Sequence, residues 1–237
     1  MSTNSETNKS FITLHGIGKT FQTSGTSVPI FENLDLTIQK GEFVAVMGPS
    51  GSGKSTLLNL LAGLDGPDTG EIWIAGQRLD HMGEAARSAW RAHHLGIVFQ
   101  FYNLLPMLTA EENVELPLLL KPIPATMRRE RVEKILDLVG LAGRGRQNPA
   151  RMSGGQQQRV GIARAIVSDP TLLLCDEPTG DLDRASADEV LTMLEYLNRE
   201  LGKTIVMVTH DPEAAEVAGR TLHLDKGVFI ERERVMA

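Results

Sequence analysis

The stretch Gly48-Pro49-Ser50-Gly51-Ser52-Gly53-Lys54-Ser55-Thr56 carries glycines, a lysine and hydroxyls at the spacing G-x-x-x-x-G-K-S. That pattern suits phosphate. Glycines let a backbone wrap closely around phosphate oxygens, and successive N–H groups at a helix N-terminus point at them. Lys54 adds a point charge for the outer phosphates of a nucleoside triphosphate, and the Ser55 hydroxyl suits Mg2+. Far downstream, Asp176-Glu177 closes the apolar run Leu172-Leu173-Leu174-Cys175. A carboxylate at the end of a buried strand is placed to hold Mg2+ beside a phosphate loop. The adjacent carboxylate can orient or deprotonate an attacking water. Taken singly, a glycine-rich turn binds nothing and a charged pair merely ends a strand. Both motifs in one chain favour the chemical reading.

Two further groups are bland on their own. His210 follows Val206-Met207-Val208-Thr209, where a lone histidine would ordinarily be structural. Met152-Ser153-Gly154-Gly155-Gln156 precedes a helical stretch, Gln157 to Ser168; Ser153 can cap that helix while the glycines expose its first N–H groups. Cys175 reads as a small buried hydrophobe, and Trp73 and Trp90 as packing residues.

The elements that must position these groups emerge from periodicity. Glu42 to Met47 is β-prone and leads into the glycine loop; Leu57 to Ala62 are helix formers after it. Phe11 to Leu14 reads as a first strand, Thr23 to Ser27 as a loop, and Leu34, Leu36 and Ile38 alternate with polar residues. Gly63 to Gly70 is loop, Glu71 to Ala75 strand, Gly83 to Ala92 helix and Leu95 to Phe99 a short strand ending at Gln100. Thr109-Ala110-Glu111-Glu112 is a capping box, and Pro117, Pro122 and Pro124 break up the chain beyond it. Thr126 to Val139 is helical and ends at Gly140. Leu172 to Cys175 and Ile205 to Val208 are continuous apolar runs of the kind that a parallel sheet buries on both faces. Val190, Leu194, Leu197 and Leu201 form a helical stripe between them. The expectation is a mostly parallel α/β core around the phosphate loop over about 11–100 and 168–237, with an antiparallel β layer and an inserted helical subdomain over about 101–167, an arrangement that resembles the P-loop NTPase (RecA-like) fold. Met1 to Ser10 reads as a disordered tail.

The chain has 237 residues, net charge −6 and one cysteine, so it holds no internal disulfide. The acidic balance leaves no electrostatic footprint for nucleic acid. No apolar run approaches the roughly 20 residues that span a bilayer, and no secretory signal is visible. A role at a membrane therefore requires another chain to cross it.

The order of these motifs resembles the ATP-binding cassette (ABC) ATPases, from about Phe11 to Ile230. Ser153-Gly154-Gly155-Gln156 is similar to that family's signature, Gln100 to its Q-loop, Asp181-Leu182-Asp183 to its D-loop and His210 to its switch histidine. Phe21 is similar to the aromatic that stacks on adenine, although Phe11 or Phe31 could serve instead. Met152 stands for the usual leucine and Phe21 for the commoner tyrosine; both substitutions keep the chemical character. The resemblance implies ATP and Mg2+, with Asp176, Ser55 and Gln100 at the metal. Glu177 acts on the water, and Gln100 and His210 report the γ-phosphate. It also implies a homodimer sandwiching two ATP molecules, each between one P-loop and the other chain's Ser153–Gly155 loop, with Gln156, Asp181 and Asp183 also at the nucleotide. Integral membrane permease subunits would dock near Gln100–Leu108, placing the chain on the cytoplasmic face of the inner membrane. The wording around Val98–Pro106, Thr109–Val114 and Asp176–Asp183 is similar to the subgroup serving lipoprotein release and macrolide efflux, and shares much with amino-acid importers. A soluble ABC ATPase acting on ribosomes or DNA, and a P-loop kinase, are the alternatives. The single cassette and the acidic balance weigh against the first; the Ser153 loop and His210 weigh against the second.

Overall fold

The computed structural model describes residues 10–23 and 25–230, so the expected tail lies outside it apart from Ser10. In chain order the first half comprises β1 (Ile12–Thr23), β2 (Thr26–Ile38), β3 (Phe43–Met47), α1 (Lys54–Leu61), β4 (Thr69–Ile74), β5 (Gln77–Arg78), α2 (Glu84–His94) and β6 (Leu95–Val98). The second half comprises α3 (Ala110–Glu115), α4 (Ala125–Leu138), α5 (Gly154–Ile166), β7 (Leu172–Asp176), α6 (Arg184–Arg199), β8 (Thr204–Thr209), α7 (Pro212–Ala215), β9 (Arg220–Asp225) and β10 (Val228–Ile230).

Two sheets result. One runs β10-β9-β3-β8-β7-β6, parallel except for β10; the other is an antiparallel β2-β1-β4-β5 layer. The central strands β3, β7 and β8 are apolar at nearly every position because alternate side chains enter different cores. Ala45, Leu173, Cys175, Ile205 and Met207 face one core with α3–α6. Val44, Val46, Leu172, Leu174, Val206 and Val208 face the other, with α1 and the antiparallel layer. The parallel strands thus end together on one edge. That edge is where an open α/β sheet binds ligands.

Three expectations need correction. The loop at Thr23–Ser27 is shorter, since β1 reaches Thr23 and β2 restarts at Thr26. Trp90 is buried, but Trp73 is 39% exposed. It lies on the outer face of β4 between the buried Ile72 and Ile74, with its indole N–H donating to Glu71 Oε2 at 3.0 Å and Arg78 over its ring. Leu201 falls beyond the end of α6 and is exposed, so the stripe closes at Leu197. The capping box at Thr109 forms as expected, with both reciprocal bonds to Glu112.

Candidate active site

β3 delivers the glycine loop. Gly48 admits no side chain: a Cβ there would run into the Leu224 carbonyl oxygen of neighbouring β9. Gly53 is the residue before α1, at φ 104°, in the left-handed region that glycine enters without strain. No side chain caps α1 and no acidic residue occupies its first turn, so its leading N–H groups and positive dipole end face outward. Lys54, largely buried, donates from Nζ to the carbonyls of Gly48 at 2.7 Å and Pro49 at 3.0 Å. The Ser52 hydroxyl is buried and, among the described residues, has no partner. Uncapped donors, a lysine arched over the loop and an orphaned hydroxyl together fit a polyphosphate.

A cavity of about 540 Å3 opens over this loop. The glycine loop supplies its floor through Ser50, Gly51, Gly53, Lys54, Ser55 and Thr56. Asp176 and Glu177, at the end of β7, and His210, just after β8, close one side; Phe21 and Ile30 close the other. Burial, and then the Glu177 carboxylate beside it, hold Asp176 above the ordinary carboxylate range, while Lys54 opposes them. A cation would relieve this crowding of carboxylates. The Ser55 hydroxyl and the Asp176 carboxylate make a hard-oxygen pair that suits Mg2+ when phosphate oxygens and water complete the shell. In keeping with that, the described residues contain no cluster of three or more acidic, histidine or cysteine side chains able to hold a metal alone.

Glu177 has φ 44°, a left-handed conformation unusual for a non-glycine residue. Its N–H donates to the Val208 carbonyl at 3.0 Å, and its Oε2 lies 2.9 Å from His210 Nδ1. The carboxylate is thereby turned toward the cavity and tied to a side chain from the adjacent strand. Phe21 is 39% exposed, with the Lys19 ammonium 5.2 Å from its ring centroid. Lys19 is itself fixed by Asp65 and the Gly66 carbonyl, both at 2.8 Å. Ile30 is a cavity residue that sequence reasoning missed; an isoleucine on a long strand carries no chemical signal. Cys175 is fully buried, and burial pushes its thiol up to about 12, which suits an inert core residue.

The remaining candidates stand elsewhere. Gln100 does not line the cavity; its amide nitrogen lies 3.0 Å from where a Cβ on Gly180 would be. Ser153 caps α5, its Oγ accepting from Gln156 N at 3.3 Å while Gln156 Oε1 accepts from Ser153 N at 3.2 Å. Ser153, Gly154, Gly155 and Gln156 contribute nothing to the cavity of their own chain. Asp183 caps α6 through Ser186, and those bonds hold its carboxyl below the usual range. Asp181 is exposed and meets the Tyr102 hydroxyl, which donates to the Asp181 carbonyl at 3.3 Å. A larger groove, about 730 Å3, lies between α3 and α4 and includes none of the candidate residues.

The model of a family described as ABC transporter matches residues 31–180. A lipoprotein-releasing system ATP-binding protein, LolD, of Chromohalobacter salexigens is 44% identical over 94% of this chain and 94% of its own length. An uncharacterized ABC transporter ATP-binding protein, YvrO, of Bacillus subtilis is 44% identical over 94% of this chain and 97% of its own. The macrolide export ATP-binding/permease protein MacB 1/2 of Paracoccus denitrificans is 44% identical, but the chain spans only 35% of that protein. Among solved structures, the dimeric cassette MJ0796 in a post-hydrolysis state with ADP and Pi superposes with a TM-score of 0.87 at 38% identity, covering 95% of this chain and 99% of that one. With a phosphate-binding loop, two terminal carboxylates and a histidine gathered at the strand ends, and relatives matching along nearly the whole length, the chain belongs to the ABC transporter family as one of its ATP-binding, ATP-hydrolysing subunits.

Proposed function

We propose that this chain hydrolyses ATP at the cavity over α1, as half of a homodimer that drives a separate membrane subunit of the lipoprotein-release or macrolide-efflux type. The observation that carries the proposal is the convergence of Lys54, Ser55, Asp176, Glu177 and His210 on one cavity at the C-terminal ends of three adjacent strands, β3, β8 and β7. The loop N–H groups and Lys54 bind the phosphates and stabilise charge that develops on them. Phe21 stacks on the base. Glu177 orients and deprotonates the water, and His210 holds the Glu177 carboxylate at 2.9 Å. Ser55 and Asp176 would hold Mg2+, which would supply charge neutralisation for the phosphoryl oxygens. Chelation should show this directly: phosphate release from ATP falls to background with EDTA and returns on adding Mg2+. Release that persists in EDTA would remove Ser55 and Asp176 from a metal site.

The identity to LolD and MacB proteins supports the subgroup. Among the described residues no helix is long and apolar enough to cross a membrane. In our reading the subunit lies on the cytoplasmic face, bound to its permease. The docking surface is the segment after Gln100. Phe101 and Met107 are 67% and 71% exposed and Leu105 is 42% exposed, whereas Leu104 packs into the core. An exposed run of this kind suits a partner. Fully buried Asn113 fixes its backbone: Oδ1 accepts from Leu105 N at 2.8 Å, and Nδ2 donates to the carbonyls of Leu105, Leu108 and Thr109. Leu105→Glu leaves those backbone bonds intact. The variant is expected to fold and bind ATP, but to lose co-purification with the permease, because a carboxylate buried in an apolar groove has no counter-charge. Normal assembly would move the docking surface elsewhere, and unfolding would make Leu105 a core residue.

A further inference from the structure

Gln158, on the second turn of α5, is wholly buried. Its amide nitrogen donates to the Phe99 carbonyl at 3.2 Å and to the Pro178 carbonyl at 2.5 Å. Phe99 immediately precedes Gln100, and Pro178 immediately follows Glu177. The amide oxygen accepts no hydrogen bond among the described residues, so the two carbonyls alone set its orientation. β6 and β7 are paired up to Val98 and Cys175, and beyond that rung their backbones part. The Gln158 amide spans the gap where the ladder stops.

The same two segments meet at other points. The Gln100 amide lies against Gly180, and the Tyr102 hydroxyl donates to Asp181. Arg164, also from α5, donates to the carbonyls of Tyr102 at 2.8 Å and Asn103 at 2.6 Å. Tyr102 and Asn103 have φ of 58° and 48°, so this loop, like Glu177, is held in the left-handed region. A non-glycine residue keeps that conformation only where its surroundings enforce it. At Glu177 the enforcing bonds are few. Its N–H reaches Val208, its carbonyl accepts from Gly180 N at 3.0 Å, and the next carbonyl is taken by Gln158.

We infer that Gln158 is a positioning residue for Glu177. Its amide ties the catalytic turn to the loop that leads into the apolar docking segment, so a displacement of that loop reaches the carboxylate without passing through the nucleotide. The inference rests on the reading of Glu177 as the residue that acts on water. Glu177 must present its carboxylate at hydrogen-bond distance from a water, and misplacement by about 1 Å can cost on the order of 100-fold in rate. ATP binding draws on the glycine loop, Lys54 and Phe21, none of which Gln158 touches.

A double-mutant cycle in steady-state ATP hydrolysis tests this. Gln158→Leu keeps most of the volume and removes both donated bonds. The expected result is kcat lowered about 10-fold with KM for ATP within about twofold of the parent. In a Glu177→Gln background the same change should cost less than about twofold, because the carboxylate it positions is already gone. An equal loss in both backgrounds, or a rise in KM at unchanged kcat, overturns the proposal. Gln158→Met, with a flexible donor-free side chain, is the second variant. Unchanged kcat in either folded variant overturns the proposal, and so does failure of both to fold, which would make the bonds supports of the core alone. The Glu177→Gln single variant separates the two readings. Normal turnover there removes the catalytic role of Glu177, whereas normal turnover in Gln158→Leu beside an inactive Glu177→Gln removes only the positioning role.

Discussion

Glu177→Gln is expected to lower ATP turnover by at least about 100-fold while ATP remains bound, the scale on which a positioned general base contributes. The substitution keeps the shape of the side chain and a partner for His210 Nδ1, which lies 2.9 Å from Glu177 Oε2 in the parent. It also removes a charge beside Asp176, whose carboxyl is held high chiefly by burial and secondarily by the Glu177 carboxylate, so it eases the second of these. Nucleotide affinity should therefore hold or rise. Only the ability to take a proton from water is lost. With the γ-phosphate retained, subunits joined through it should accumulate as a dimer, seen as a shift in gel filtration in the presence of ATP and Mg2+ and absent with ADP. Turnover near that of the parent would take Glu177 out of the mechanism. A turnover defect without an ATP-dependent dimer would leave the base in place and undo the sandwich.

The second large effect is expected on mixing two inactive chains. Lys54→Ala removes the charge over the phosphate loop, and Ser153→Arg blocks the N-terminus of α5. Within one chain Ser153 is exposed and lines no part of the cavity that Lys54 lines. If each active site joins one chain's loop to the other's α5, either variant alone spoils both sites of its dimer. A mixed dimer concentrates both lesions in one site and leaves the other whole. With random pairing half the dimers are mixed and one of their two sites is intact, so about a quarter of parental activity should return. Loss of the Ser153 cap costs about 1 kcal/mol, which a core of this extent should tolerate. No recovery in mixtures shown to contain heterodimers would mean that the sites are not shared or that both must fire together.

The cavity side of the active site was legible because phosphate chemistry draws on few residue types. Glycines at fixed offsets, Lys54, and two carboxylates closing an apolar run have no cheaper joint explanation. The central strands were legible for the related reason that burial on both faces leaves no polar positions. What escaped reading depended on backbone atoms or on a long-range choice of face. Gln158 acts on two carbonyls, and carbonyls have no signature in a sequence. As read from the sequence, the first strand stops at Leu14, and Gly16 and Gly18 follow closely. The strand continues to Thr23 by shifting register at Leu14/Ile17 and Ile17/Lys19, irregularities that glycine permits. Trp73 is as apolar as its neighbours, and only the pairing of β4 with β1 decides that Ile72 and Ile74 face inward.

The pairing of β3 bears on how the protein is made. Its two neighbours in the sheet are β8 and β9, and no other described strand pairs with it. Both lie far downstream, so during translation the strand that carries the phosphate loop emerges early with neither edge satisfied. It must wait while the helices and β7 are synthesised. Such long-range closure is slow and leaves an apolar strand open to wrong partners. The antiparallel layer offers interim shelter, since β1 and β2 pair locally and share a core with Val44 and Val46. Nucleotide therefore has nothing complete to bind until β8 and β9 have left the ribosome. A nascent chain stalled before Thr204 should be unable to retain ATP, however perfect its glycine loop.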